Sequence, residues 1–220
     1  MDAVGAYTAD RAAALSGVPK STIRWWARHD MLVPSVSSTR VMLWSYADLM
    51  GLRVIYWLRQ RKTTQLGVEI PRTSMPAIRR ALNELRKLEL SLWDQDRPTL
   101  LVDGNGHVYL KRSERVQDLT GQVVGEPLLD LISPFTTAEG TRGPDLIKPR
   151  VDLRIVPGKL SGAPHIVGTR LETRALAALA TDGFDVTAIH RLYPYVSAPQ
   201  IEQALELEDQ LADNLSKRAA

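Results

Sequence analysis

The stretch Ala9–Arg28, ADRAAALSGVPKSTIRWWAR, reads as a helix-turn-helix. Ala13 is small where two helices must cross closely. Gly17 is the turn residue that tolerates a positive φ, and Ile23 is a β-branched core residue that pins the second helix. Pro19 fits the first turn of that helix, where a missing N–H costs nothing. The face left over carries Lys20, Ser21, Thr22, Arg24 and Arg28, side chains suited to phosphates and to base edges in a major groove.

Working outward, Thr8 is placed to cap the first helix, and the second should run from Lys20 to His29. Trp25 and Trp26 cannot share one face, because neighbours on a helix differ by about 100°. One belongs in the core; the other packs on the following segment or lies near a nucleic-acid backbone. Met31–Pro34 leaves the helix in extended form, Ser35–Thr39 is a polar loop, and Val41–Trp44 reads as a short strand. Together they make a wing, with Arg40 placed to touch a phosphate or a minor groove. Ser45 then caps a helix over Tyr46–Arg61, with Leu49, Leu52, Ile55, Tyr56 and Leu58 at helical spacing.

Composition narrows the function classes. With 220 residues, the chain suggests one large domain or two small ones, and 44% hydrophobic with 24% charged residues is ordinary for a globular protein. The most apolar stretch, Leu43–Leu58, is broken by Asp48 and Arg53, so no membrane span is expected. The first residues, MDAVGAYTAD, lack the basic-then-apolar layout of a secretory signal, and a cytoplasmic setting is expected. There are no cysteines, which removes disulfides, thiolate catalysis and cysteine-rich zinc sites. The four histidines make no ligand-spaced pair, so no metal or cofactor is expected. No catalytic motif appears either, and the chain reads as a non-enzyme. Charge is uneven: residues 1–92 hold 14 Lys+Arg against 7 Asp+Glu, while 93–150 and 151–220 each hold 7 against 9. The basic excess travels with the helix-turn-helix.

The run TADRAAALSGVPKSTIRWWARHDMLVPS, followed by RVMLWSYADL, resembles the DNA-binding half of the MerR family of winged helix-turn-helix regulators. The likeness covers about residues 7–62. It is carried by Thr22-Ile23-Arg24-Trp25-Trp26, by Met31-Leu32-Val33-Pro34, and by Trp44-Ser45-Tyr46-Ala47-Asp48-Leu49. Asp30 stands where that family has a turn glycine, and the Trp pair also departs from its pattern. The long dimerising coiled coil is missing, because Thr63–Thr73 breaks the helix, and the effector cysteines are absent, so ligand sensing of the usual kind is not implied.

Further along, Met75–Leu92 is a helix with an apolar stripe of Ile78, Leu82, Leu85, Leu88 and Leu92. Arg79, Arg80, Arg86 and Lys87 lie on other faces, either extending a DNA footprint or simply solvated. Thr99–Val102 and His107–Leu110 around Asp103-Gly104-Asn105-Gly106 read as a β-hairpin, and Gly121–Val124 as a further strand, capping the helices or offering a partner edge. Residues 133–149, SPFTTAEGTRGPDLIKP, read as a linker or a strapped surface arm. From Val151 a second unit begins: a short strand at Leu153–Ile155, a turn-rich segment, and helices over Glu172–Thr181, Val186–Leu192 and Ala198–Leu215. The expected architecture is mainly α with small β elements. Residues 1–132 form the winged helix-turn-helix domain with its helix and hairpin extension, 133–149 the linker, and 150–220 a three-helix, helix-turn-helix-like domain.

The motif Gly162-Ala163-Pro164-His165-Ile166-Val167-Gly168-Thr169-Arg170, with the helices after it, resembles a small bacterial family of long-unknown function, over about residues 150–212. That family is associated with antitoxins whose partners are ribonucleases of the PIN type. Joined to a MerR-like reader, the arrangement resembles a VapB-type antitoxin. The resemblance implies a homodimer that binds operator DNA and a VapC-like toxin. Its alternative is a free-standing dimeric regulator. The last helix carries Glu202, Glu206, Glu208, Asp209 and Asp213, which would repel phosphates, so protein contact is its expected role. Leu207 and Leu211 are candidates for a dimer or toxin face, against plain core packing. Lys217 and Arg218 are candidates to enter a carboxylate-rich nuclease site. Arg170 is either a partner contact or a structural arginine tying its turn to a carboxylate.

Overall fold

The computed structural model describes residues 5–63, 69–70, 72–87, 99–103, 107–112, 115–118 and 129–216. In chain order these form β1 (Tyr7–Thr8), α1 (Ala9–Ser16), α2 (Lys20–Arg28), β2 (Leu43–Trp44), α3 (Tyr46–Arg59), β3 (Lys62–Thr63), β4 (Glu69–Ile70), α4 (Met75–Lys87), β5 (Thr99–Val102), β6 (Val108–Arg112), β7 (Arg115–Asp118) and β8 (Leu129–Asp130). There follow β9 (Phe135–Thr136), β10 (Arg142–Gly143), β11 (Leu153–Arg154), β12 (His165–Ile166), α5 (Thr173–Thr181), α6 (Val186–Leu192) and α7 (Ala198–Ser216). The mainly helical architecture with small antiparallel sheets is as expected. The hairpin tip 104–106, the strand at 121–124, Leu88 and Leu92 of the fourth helix, and Lys217 and Arg218 lie outside the described residues.

The compact units cut across chain order. One joins Met1–Asp48 to Pro134–Ala220; the other is Leu49–Ser133, so the boundaries fall inside α3 and just ahead of β9 rather than at the two ends of 133–149.

In the second unit, α3 buries Leu49, Leu52, Ile55, Tyr56 and Leu58, and α4 buries Ile78 and Leu82, on the stripes their spacing predicts. β7, β6, β5 and β8 form one antiparallel sheet in that order. Arg53, which interrupts the apolar run in the sequence, is fully buried. Its Nη1 donates to the carbonyls of Leu131, Ile132 and Ser133 at 3.0, 3.3 and 2.8 Å, so the buried guanidinium is hydrogen-bonded rather than bare. Asp103 holds the start of the hairpin tip: Oδ1 accepts from the His107 amide at 2.8 Å, and Oδ2 lies 3.0 Å from its Nδ1.

In the first unit, Thr8 caps α1, its Oγ1 accepting from the Arg11 amide at 3.3 Å. Ala12–Leu15 are buried. α7 buries Ile201, Ala204, Leu207, Leu211 and Asn214, a single helical stripe that packs on α5, α6 and α1. Polar contacts tie α7 and the segments before it to the amino-terminal segment. Arg11 makes a bidentate pair with Glu208, at 2.6 and 2.7 Å, and Thr173 Oγ1 donates to the same carboxylate. Asn214 Nδ2 donates to the carbonyls of Ala14 and Arg142, each at 2.9 Å, while its Oδ1 accepts from the Arg142 amide at 2.8 Å. The Ala14 carbonyl lies in the last turn of α1, where no intrahelical donor reaches it. Tyr7 Oη donates to the Gly162 carbonyl at 3.0 Å, and burial pushes that phenol well above its ordinary pKa.

Residues 133–149 are not a bare linker. Turn chemistry that reads as a linker in one dimension builds a β9–β10 hairpin, Thr136 opposite Arg142 and Phe135 opposite Gly143. Phe135, Thr137, Thr141, Asp145 and Leu146 are buried, and Thr141 Oγ1 donates to the Gly17 carbonyl.

Glu208 is nine-tenths buried at its side chain and holds a charged partner, so Glu208→Ala should destabilise the protein by about 2–3 kcal/mol in urea denaturation. Glu206→Ala, two residues earlier on the same helix and two-thirds exposed against Arg150, should stay within about 0.5 kcal/mol of wild type.

Candidate nucleic-acid interface

The helix-turn-helix is set by backbone geometry. α1 ends at Gly17, whose φ is +77° and whose amide donates to the Ala13 carbonyl at 2.9 Å. Pro19, with φ −53°, stands just ahead of α2 as its cap residue rather than within its first turn. Ile23 and Trp26, three residues apart, face inward, and Ser21, Arg24, Trp25 and Arg28 face out. Of the Trp pair, Trp26 is core. Trp25 is about half exposed and stacks on His29, ring centroids 4.1 Å apart. α2 closes with the Met31 amide donating to the Trp26 carbonyl at 3.0 Å while Asp30 adopts φ +52°. Asp30 therefore takes the left-handed conformation its glycine counterpart would take, which Asp tolerates better than most residues.

The wing is fastened at both ends. β2 pairs antiparallel with β1, Tyr7 opposite Trp44 and Thr8 opposite Leu43, and Ser37 bridges to Leu43. At its base, Ser45 and Asp48 form a reciprocal cap: Asp48 donates from its amide to Ser45 Oγ at 3.1 Å, and Asp48 Oδ2 accepts from the Ser45 amide at 2.8 Å. The same Oδ2 accepts from the amide and hydroxyl of Ser35 at 2.9 and 2.7 Å, fixing where the loop leaves the helix.

Between α2 and the wing lies an open groove of about 650 Å³. Arg24, Arg28 and Arg40 line it, with Thr8, Ala9 and Asp10 from the start of α1 and Val41 and Met42 from the wing. The structure thus brings three of the six expected contact residues to one groove. Arg28 is braced by an Nε bond to the Arg24 carbonyl at 3.3 Å. Lys20 pairs with Asp10 at 2.5 Å, which draws its ammonium toward the rim and neutralises one carboxylate of the groove. Ser21 is exposed and Thr22 half-buried on the first turn of α2.

The candidate partner residues fare differently. Leu207 and Leu211 are buried in the first unit's own core and form no exposed face, because the stripe of α7 serves α5 and α1 together. Arg170 is exposed on the turn after Gly168 and makes no ion pair among the described residues, so it is not tying that turn to a carboxylate. Glu208, counted with the acidic surface in the sequence, is consumed by Arg11; Glu202, Glu206, Asp209 and Asp213 stay exposed. Sequence reading missed Arg11 and Asn214 as organising residues, since nothing local marks a partner nearly 200 positions away.

Residues 7–68 match the family model described as MerR HTH family regulatory protein, and residues 154–207 match one described as protein of unknown function (DUF433). The chain therefore carries a MerR-family helix-turn-helix domain at its amino-terminal end and a DUF433 domain toward its carboxy-terminal end. No curated protein matches it. Among solved structures, the crystal structure of Rv2018 from Mycobacterium tuberculosis is similar at 16% identity and a TM-score of 0.46, over 90% of this chain and 96% of that one.

A Cβ added at Gly17 would stand 2.6 Å from the Gly143 amide nitrogen and 3.0 Å from its Cα, on a backbone already at positive φ. Gly17→Ala should therefore lower stability by more than about 1 kcal/mol and lower the thermal midpoint. A melt at the wild-type midpoint would remove this account of the turn.

Proposed function

We propose that this chain is a DNA-binding regulator that reads operator DNA as a dimer, with α2 in the major groove and the wing beside it. The convergence of Arg24, Arg28 and Arg40 on one open groove carries the reading. Guanidinium forks suit both phosphate oxygens and the O6/N7 edge of guanine, and Ser21 and Thr22 add hydroxyls at the leading turn of the helix. Lys20, held by Asp10, acts at the rim.

The finer reading is an antitoxin of a type II toxin–antitoxin pair, acting in the cytoplasm, that represses its own operon and silences a PIN-type ribonuclease. It is supported by the motif Gly162–Arg170 and by Arg170 within it, which is exposed and has no ion pair among the described residues. A PIN-type site is a cluster of carboxylates around a divalent cation, so basic side chains such as Arg170, Lys217 and Arg218 suit its neutralisation. Leu207 and Leu211 are buried and take no part in that contact.

In fluorescence anisotropy with a duplex from upstream of its own gene, Arg24→Ala, Arg28→Ala and Arg40→Ala should each weaken binding. A base contact costs about 1–3 kcal/mol and relaxes specificity, while a phosphate contact weakens all sequences alike. Wild-type affinity in the Arg24→Ala/Arg28→Ala double variant would overturn the placement of α2. Separately, a native pull-down should recover a stoichiometric small nuclease, and Arg170→Glu should release it. A homodimer that binds DNA with no nuclease partner identifies a free-standing regulator instead.

A further inference from the structure

A second cleft, of about 290 Å³, opens beside the groove of α2 and the wing, and Thr8 is a wall of both. Its other side comes from the carboxy-terminal module: Ser161 on the loop before β12, and Glu172 and Arg174 at the start of α5. Arg11 lines it too, but that guanidinium is occupied by Glu208 through two short bonds. Arg174 is different. Its side chain is 77% exposed, and its nearest carboxylate, Glu172, is 3.9 Å away, at the outer limit of an ion pair. The exposed acids Glu206, Asp209 and Asp213 line another cavity, with Arg142 and Arg150, and none of them reaches this cleft. The module is acidic in sum, but its negative face and Arg174 open onto separate cavities.

We infer that the DNA footprint crosses from the helix-turn-helix onto the carboxy-terminal module, with Arg174 as a phosphate contact supplied by that module. The inference rests on the proposed reading of α2 and the wing. A duplex seated in the first groove lies over the start of α1, and a backbone that continues past Thr8 meets the second cleft. There Arg174 offers a fork to a phosphate, and the exposed Ser161 hydroxyl offers a further donor. Such a contact positions the protein without reading sequence, so the carboxy-terminal module adds affinity and orientation while α2 supplies specificity.

The test is a salt titration of the full-length protein on a labelled duplex from upstream of its gene and on an unrelated duplex, with 50 to 200 mM NaCl. Each phosphate contact contributes a slope of about 0.9 in log K against log salt. Arg174→Ala should flatten the slope by about that amount on both duplexes, so that over this range the variant loses about three-fold less affinity than wild type does. Arg174→Lys should keep the wild-type slope. Glu172→Gln, which removes the one carboxylate of the cleft, should tighten binding, and Arg191→Ala, an exposed arginine on α6 outside both cavities, should behave as wild type. An unchanged slope in Arg174→Ala, with wild-type binding intact, overturns the extended footprint alone. Failure of the wild type to bind any duplex overturns the DNA-reading function and this inference together.

Discussion

The ion pair between Arg11 and Glu208 is the constraint on which the first unit depends. It joins the first helix of the chain to the last, at a site little exposed to water, with Thr173 completing the carboxylate. Around it, Asn214 closes the end of α1 and holds the β9–β10 hairpin, and Tyr7 reaches the Gly162 carbonyl. A charge pair of this kind is only modestly favourable against an apolar substitute, because both ions must leave water. It is demanding of geometry, though, and removing one member strands the other. Its effect here is to fix the orientation of α1, and through Gly17 that of α2.

That rigidity matters for what the amino-terminal helices present. α2 buries only Ile23 and Trp26, so its outward residues depend on neighbours to hold the helix at a defined angle. α1 supplies that support, and the wing across the groove is itself fixed through Ser35, Ser45 and Asp48. The groove lined by Arg24, Arg28 and Arg40 exists because both sides are tied down.

The same packing changes what the carboxy-terminal helices have left to offer. An apolar stripe on α7 that could have met another chain is spent inside this one, since Leu207 and Leu211 are core. The exposed charge is divided, with Glu202, Glu206, Asp209 and Asp213 along α7 and Arg170 and Arg174 near β12 and α5, and it stands beside exposed apolar side chains at Phe184, Leu192 and Tyr195.

Sequence alone determined the local elements. The cap at Thr8, the turn at Gly17, the start of α3 at Ser45 and the apolar periodicity of α3 are each written within a few residues, because capping, φ preference and helical period act over that range. The basic face of α2 was legible for the same reason. Only the tertiary structure decided that 133–149 folds as a hairpin, that Leu207 and Leu211 are core, that Glu208 is not surface, and that Arg24, Arg28 and Arg40 share one groove. An exposed and a buried leucine look alike in one dimension, as do a solvated and a paired glutamate. The difference lies in which distant segment packs against them, and Arg11 meets Glu208 across 197 positions of chain that no local pattern spans.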